Sequence, residues 1–256
     1  SVSLIVKNES KYILGCLKSV INVADEIIIV DTGCTDATIP KVKLYGNPKM
    51  KFYEFPWCDD FSAARNYAIE QCLGDWGLSI DADERLVENG IKPFLEKLDP
   101  SFFGAGVPLN SRQNIPGRKG HNIEKDNWHT RFFRIDHRIR WKGRAHEELY
   151  TSIVVENGLG IKAVPEDVAF IAHLGYDADD AEIIAKLDRN HALLKKDLIE
   201  KPDDAWIWYH FGQEYGVRND RKKQVECFKK ALEIGTLPQE AVDYMNGLLK
   251  SYKGKK

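Results

Sequence analysis

The first hundred positions alternate short apolar runs with amphipathic stretches. Ser3–Lys7 reads as a buried strand, and Ser10–Val20 takes helical spacing through Tyr12, Leu14, Leu17 and Val20. Glu26–Val30 is a largely β-branched strand that ends at Asp31. A helix follows, with Thr35 or Asp36 able to cap it, and then a third strand over Lys51–Phe55. Phe61–Leu73 is amphipathic with Ser62 near its start, and Trp76–Ile80 is a fourth strand that runs into Asp81. Strands separated by helical stretches predict right-handed βαβ crossovers and a mainly parallel sheet. Ligands of such sheets sit beyond the carboxyl ends of the strands. That rule places Lys7-Asn8-Glu9, Asp31-Thr32-Gly33 and Asp81-Ala82-Asp83 along one polar edge.

From Phe102 to Ala172 glycine and proline become more frequent. Alternating segments at Thr130–Ile135, Ile139–Lys142 and Leu149–Val155 predict antiparallel strands appended to the sheet. Ser111 to Asn127 is polar, carries Pro116, Gly117 and Gly120, and predicts a mobile loop. After Asp177 the pattern is helical, over Ala181–Glu200, Ala205–Val217, Asp220–Ile234 and Gln239–Ser251. Trp208, Phe211, Gly212, Tyr215, Phe228 and Ala231 follow the spacing of a tetratricopeptide repeat, with Gln224 and Pro238 as departures. The expected domains are therefore 1–176 and 177–256. The helices either buttress the first domain or bind a protein partner.

Composition narrows the classes. The chain has 256 residues, 43% of them hydrophobic and 30% charged, which is ordinary for a globular protein. A formal charge of -2 disfavours a general nucleic-acid partner. The longest aliphatic run, Ile27–Val30, is far short of the ~20 residues of a bilayer span. Ser1-Val2-Ser3 has no signal-peptide layout. The five cysteines are odd in number and lack CxxC spacing, which points to packing thiols in a reducing, cytoplasmic compartment.

The chemistry concentrates at Asp81-Ala82-Asp83. Two carboxylates at i and i+2 on an extended tail share a face only if the chain turns after the strand. One can then reach a divalent cation such as Mn²⁺ or Mg²⁺, which prefers oxygen ligands and shares phosphate oxygens. The other can reach a sugar hydroxyl. A bare DxD is a weak motif. Its place at a strand end in line with Asp31 is what singles it out.

Four segments together resemble family 2 glycosyltransferases of the GT-A fold: Ser3–Glu9, Ile29–Asp36, Ala64-Arg65-Asn66 and Ser79–Glu84. Cys34 stands where serine is commoner. Gly143-Arg144-Ala145-His146-Glu147 and Ala172-His173-Leu174-Gly175-Tyr176 resemble a subgroup with tetratricopeptide helices after the catalytic domain. That subgroup includes bacterial peptide S-glycosyltransferases and enzymes of surface polysaccharide assembly. The resemblance implies an α/β GT-A catalytic domain and a metal-dependent, inverting transfer. The donor would be a nucleotide sugar, most commonly a UDP-sugar, and the acceptor a glycan, lipid-linked sugar or peptide.

Carried over by matching motif, the resemblance implies the following roles. Val6, Lys7 and Glu9 line the base, partly through backbone, and Asp31 contacts uracil or ribose. Asp36 caps a helix start. Arg65 approaches the diphosphate or braces the aspartates, with a surface ion pair as the plain alternative. Asp81 takes ribose or donor sugar, and Asp83 the metal. His173 takes the metal or the diphosphate. Inversion needs a base opposite the leaving group. Glu147 is the candidate, and His146 either orients it, contacts phosphate, or is the base itself. At most one of Arg131 and Arg134 faces the cleft, because i and i+3 on a strand point oppositely. Trp57, Trp128 and Trp141 offer either a sugar wall or core packing.

Two other functions compete. A nucleotidyltransferase needs a glycine-rich loop after the first strand, and here no glycine precedes Gly15. A non-catalytic nucleotide-sugar-binding or tetratricopeptide scaffold keeps the fold but has no need of Asp31, Asp81, Asp83, Glu147 and His173 together.

Overall fold

Alternate residues of one strand feed two different cores. The computed structural model describes residues 1–111, 128–151, 160–174 and 180–253. Within it β1 (Val2–Val6), β2 (Ile27–Asp31), β3 (Met50–Glu54) and β4 (Trp76–Ser79) run parallel in the spatial order β3-β2-β1-β4. Ile27 and Ile29 of β2 join the main core, while Ile28 and Val30 pack with Ala68 and Cys72 on the other face. A strand covered on both faces is apolar at every position, which is why this run shows no polar alternation. Val6 pairs with Asp31, and Asp31 with Glu54, so the carboxyl ends of these strands lie level.

The crossovers form where the sequence places them. Helix α1 (Ile13–Val20) buries Ile13, Cys16, Leu17 and Val20 on one stripe. Helix α2 (Thr38–Tyr45) ends on Gly46 at φ +64, a left-handed cap that glycine adopts without a Cβ penalty. Helix α3 (Phe61–Glu70) is capped by Asp60, whose side chain accepts the Ala63 N–H and the Ser62 hydroxyl. Asp36 accepts the N–H of Thr38 and that of Ser10, tying the start of α2 to the loop after β1.

Beyond β4 the structure adds elements that the alternation did not show. The DxD turn leads directly into β5 (Glu84–Glu88), then α4 (Ile91–Glu96) and β6 (Phe102–Ser111). Next come β7 (Trp128–Arg134), β8 (Ile139–Lys142), β9 (Glu148–Thr151), β10 (Gly160–Ala163) and β11 (Ala169–His173). Among the described residues the central, mostly parallel sheet has nine strands: it continues β4-β7-β6-β11-β5, and β10 pairs with β6. Of the strands expected to extend it, only the first does so. β8 and β9 pair with each other in a separate two-stranded sheet. Ile139 and Trp141 bury against Ile69 and Phe133 on α3 and β7, so the hairpin packs on a helix instead of lengthening the sheet. Strand β9 is described as far as Thr151, and positions 152–155, over which the sequence carries it, lie outside the described residues. Most of the loop expected over Ser111–Asn127, and Gly175-Tyr176, lie outside the described residues.

By contact the chain divides into Ser1–Lys142 with Glu147–Ala178, and Gly143–His146 with Asp179–Lys256. The second unit contains α5 (Asp180–Glu200), α6 (Ala205–Val217), α7 (Arg221–Ile234) and α8 (Gln239–Lys253). Asp204 and Asp220 cap α6 and α7 by accepting the N–H groups of Trp206 and Lys223. Phe228, Ala231 and Met245 form the core between these helices. Gly212 lets α6 and α7 close up: a Cβ there would stand 2.2 Å from the Phe228 ring. Alanine favours a helix over glycine by about 1 kcal/mol, whereas overpacking costs typically 1–3 kcal/mol. Packing should therefore win, and Gly212→Ala is expected to lower the melting temperature despite the gain in propensity. An unchanged or raised melting temperature would show that the two helices can part.

Candidate active site

Helix α3 carries Ala64-Arg65-Asn66 against the sheet, and small alanines on its inner face allow the approach. Arg65 is 8% exposed and spends its whole fork. Its Nε donates to Glu147 Oε1 at 2.6 Å, Nη2 to Asp81 Oδ1 at 2.9 Å and Nη1 to Ser79 Oγ at 3.1 Å. Its guanidinium also lies over the Trp141 ring. Only arginine supplies several fixed donors in one plane. Asn66 works alongside: its side chain donates to the Trp141 carbonyl and accepts the Trp141 N–H, at 3.0 and 2.8 Å. The pair thus holds both the strand-end aspartate and the hairpin that leads to Glu147.

The DxD turn is held from several sides. The Glu84 N–H donates to the Asp81 carbonyl, and Glu84 Oε2 accepts the Asp81 N–H. Arg85 donates to the carbonyls of Ala82 and Glu84 and reaches across to that of Tyr12. Gly15 makes room for it, since a Cβ there would stand 2.4 Å from the guanidinium. Burial works against ionisation of Asp81, yet the charge of Arg65, then that of Arg131, holds its carboxyl down at about 2. Glu84 is fully buried and burial pushes its carboxyl up to about 7, against the pull of Arg131.

Arg131 and Arg134 point to opposite sides of β7. Arg131 Nη2 donates to Glu84 Oε1 at 2.6 Å, and its Nη1 lies 3.9 Å from Asp81 Oδ2. Arg134 instead donates to the carbonyls of Phe102 and Leu98 and covers the Trp76 ring. Of the three tryptophans, Trp141 is core, Trp57 donates to Asp59, and Trp128 is partly exposed.

Asp83 and His173 meet at 3.5 Å, Oδ2 to Nε2, and the Leu174 N–H donates to the Asp83 carbonyl. The Asp83 carboxylate suits Mn²⁺ or Mg²⁺, and the His173 imidazole favours the transition metal of the two. Among the described residues no three His, Cys, Asp or Glu gather as a ligand set. Two such donors could hold a cation that takes its remaining ligands from substrate and water, as Mg²⁺ and Mn²⁺ do at phosphates.

At the β1 and β2 ends the loops are cross-tied. Asn8 sits at φ +59 and its side-chain oxygen accepts the N–H groups of Thr35 and Asp36. Asp31 Oδ1 accepts the N–H groups of Gly33 and Cys34, so this carboxylate shapes its own turn. The Val6 carbonyl accepts from both Thr32 N–H and Thr32 Oγ1, and the Val6 side chain is buried; Lys7 is exposed and Glu9 half-buried.

The structure brings Arg65, Asp81 and Glu147 into one ion-paired group, with Asp83 in the turn after Asp81 and His173 of β11 beside Asp83. His146 has other partners. It belongs to the second unit, where its ring stacks on His210 at 4.5 Å and its Nε2 lies 3.7 Å from Glu214. Arg144 in the same segment pairs with Asp197 and Glu200. Sequence reasoning missed Glu84 and Asn66 as working residues, although both lay inside segments already singled out. Their partners are 47 and 75 positions away.

A mostly parallel sheet with helices between its strands and a polar cluster at the strand ends is a GT-A-like fold. A model of glycosyl transferase family 2 matches residues 1–151, and the chain belongs to that family. A TPR repeat-containing protein of Synechococcus elongatus is 31% identical over 95% of this chain and 59% of its own length. The SPbeta prophage-derived glycosyltransferase SunS of Bacillus subtilis is 28% identical over 90% of this chain and 52% of its own. The chain thus spans just over half the length of these curated relatives. TarS of S. aureus (1-349), solved with UDP-GlcNAc, shares the fold at a TM-score of 0.51 and 16% identity, covering 94% of this chain and 82% of that one. Among the described residues no helix is long and apolar enough to cross a membrane.

Proposed function

We propose that this chain is an inverting, metal-dependent glycosyltransferase that moves a sugar from a UDP-sugar to a glycan, lipid-linked sugar or peptide. The observation that carries this reading is the buried Arg65, which joins the DxD carboxylate Asp81 to Glu147 in a family 2 fold. Asp81 binds ribose or donor sugar, and Val6, Lys7, Glu9 and Asp31 frame the uridine. The UDP-GlcNAc in the TarS structure supports the choice of donor.

The acceptor hydroxyl attacks the anomeric carbon as the bond to the diphosphate breaks. Its proton passes to Glu147, through Oε2, while Oε1 stays on Arg65. A divalent cation, when bound, neutralises charge on the departing diphosphate, and Asp83 and His173 are the residues that would hold it. Arg65 keeps Asp81 and Glu147 at fixed separation, so the geometry is set before substrate arrives. The unpaired thiols support a cytoplasmic setting. We read 1–176 as the catalytic domain and the helices after it as a tetratricopeptide-like surface for a protein partner, in keeping with the name of the Synechococcus relative.

The test is a thermal-shift titration with UDP and UDP-sugars, with and without Mn²⁺. A ligand that binds only the native state raises the midpoint by mass action. A shift that chelation removes, and that Asp83→Ala abolishes without unfolding the protein, is the expected result. Absence of any nucleotide shift in folded protein would favour the scaffold reading. Full Mn²⁺-dependent binding by Asp83→Ala would remove Asp83 from the metal site.

A further inference from the structure

We propose that Glu84, the residue directly after the DxD, is a positioning residue that couples the sugar-side carboxylate Asp81 to the metal-side pair Asp83 and His173. The inference rests on the transferase reading of this site. Three observations carry it. First, one carboxylate serves two partners: Oε2 accepts the Asp81 N–H at 2.9 Å and Oε1 takes Arg131 at 2.6 Å. Second, Glu84 opens β5 and pairs across the ladder with His173, the last residue of β11. Third, its side chain is 1% exposed. A buried ion pair with one cation adds little stability over apolar packing of the same volume. The position is better explained by what it orients than by what it stabilises.

The geometry has a directional consequence. Glu84 closes the Asp81–Glu84 turn with both its N–H and its carboxylate, so the turn that aims Asp81 also aims Asp83. The same residue fixes by register where His173 lies. Arg131, held on the other oxygen, then presents its charge towards Asp81. A shift at Glu84 therefore moves both halves of the donor site together. A loss confined to one half would not be expected.

The probes are UDP and Mn²⁺, measured by calorimetry on the full chain. The quantity read is the ratio of UDP affinities with and without Mn²⁺, since a merely structural defect lowers the melting temperature but leaves this ratio alone. Glu84→Gln keeps an acceptor for the Asp81 N–H and removes the negative charge that faces Arg131. It is expected to weaken UDP binding about tenfold, the loss of one charge-assisted hydrogen bond, and to lower the ratio at the same time. Glu84→Asp keeps the charge but is one methylene short of spanning both partners. It is expected to lower the ratio as well, and it serves if the glutamine variant does not fold. A ratio equal to that of the wild type in a folded variant overturns the proposal. A wild-type protein that binds no UDP, or binds it without regard to Mn²⁺, overturns the transferase reading and this proposal with it.

Discussion

Replacing Arg65 with methionine is expected to destabilise the first unit by about 3 kcal/mol and to abolish UDP binding. Removing one partner of a buried ion pair costs about 3–5 kcal/mol, because the other charge stays behind unpaired. Here two carboxylates stay behind. The lower end of the range applies, since the Asp81 side chain is 33% exposed and Arg131 lies within reach of it. For a chain of this length about 2–4 °C is lost per kcal/mol, so the melting temperature should fall by roughly 6–12 °C. Arg65→Lys is the informative companion. It keeps the charge and most of the volume, but one ammonium cannot reproduce the separate donors on Glu147, Asp81 and Ser79. It should melt closer to the wild type and still bind UDP poorly. Melting of Arg65→Met together with the wild type would mean that the paired geometry does not form in solution.

Glu147→Gln should leave UDP binding near that of the wild type and reduce UDP-sugar turnover by about 10²–10⁴, the usual contribution of a positioned base. The amide oxygen can still accept from Arg65 Nε, so the hairpin should stay seated and the melting temperature should change little. What the amide cannot do is take a proton. The measurement is UDP release from the UDP-sugar that gives the largest thermal shift, with the melt recorded beside it. Unchanged release would move the base to another residue, with His146 and Glu148 the neighbours to replace next. A joint loss of binding and turnover would instead make Glu147 a support for Arg65.

The parts of the fold that showed in the sequence are those where one period dominates. The β-branched run Glu26–Val30 read as a strand, and the structure buries it on both faces. The helices from Asp180 onward lie close to where their apolar spacing put them. β5 escaped notice because Glu84-Arg85-Leu86-Val87-Glu88 is too short to separate alternation from chance. It exists because β11 pairs with it from far along the chain. The β8–β9 hairpin read as two more strands of the main sheet, since alternation reports a strand and not its neighbour. What redirected it is the side chain of Asn66, a contact between distant positions.

The candidate site was legible in the same uneven way. Topology placed Asp31, Asp81 and Asp83 at strand ends, and the structure gathers Arg65, Asp81 and Glu147. Adjacency does not give His146 and Glu147 common partners: φ is +54 at His146, and the first stacks on His210 while the second pairs with Arg65. The left-handed region is sparsely used by residues with a Cβ and leaves no apolar pattern to read. Glu84 showed only as one more acidic residue in an acidic run. Nothing in that run marks which carboxylate is buried.

The tie between Asn66 and the hairpin has an evolutionary consequence. Asn66 grips Trp141 by its peptide N–H and carbonyl, groups that every residue but proline possesses. The grip is therefore blind to hairpin sequence, and of the β8 strand only Ile139 and Trp141 are committed to a core. Arg140 and Lys142, half-buried and exposed, can be exchanged without unseating the strand that leads to Glu147. Lineages of this family could vary those outward positions, and with them the surface beside the reaction, while inheriting the chemistry intact.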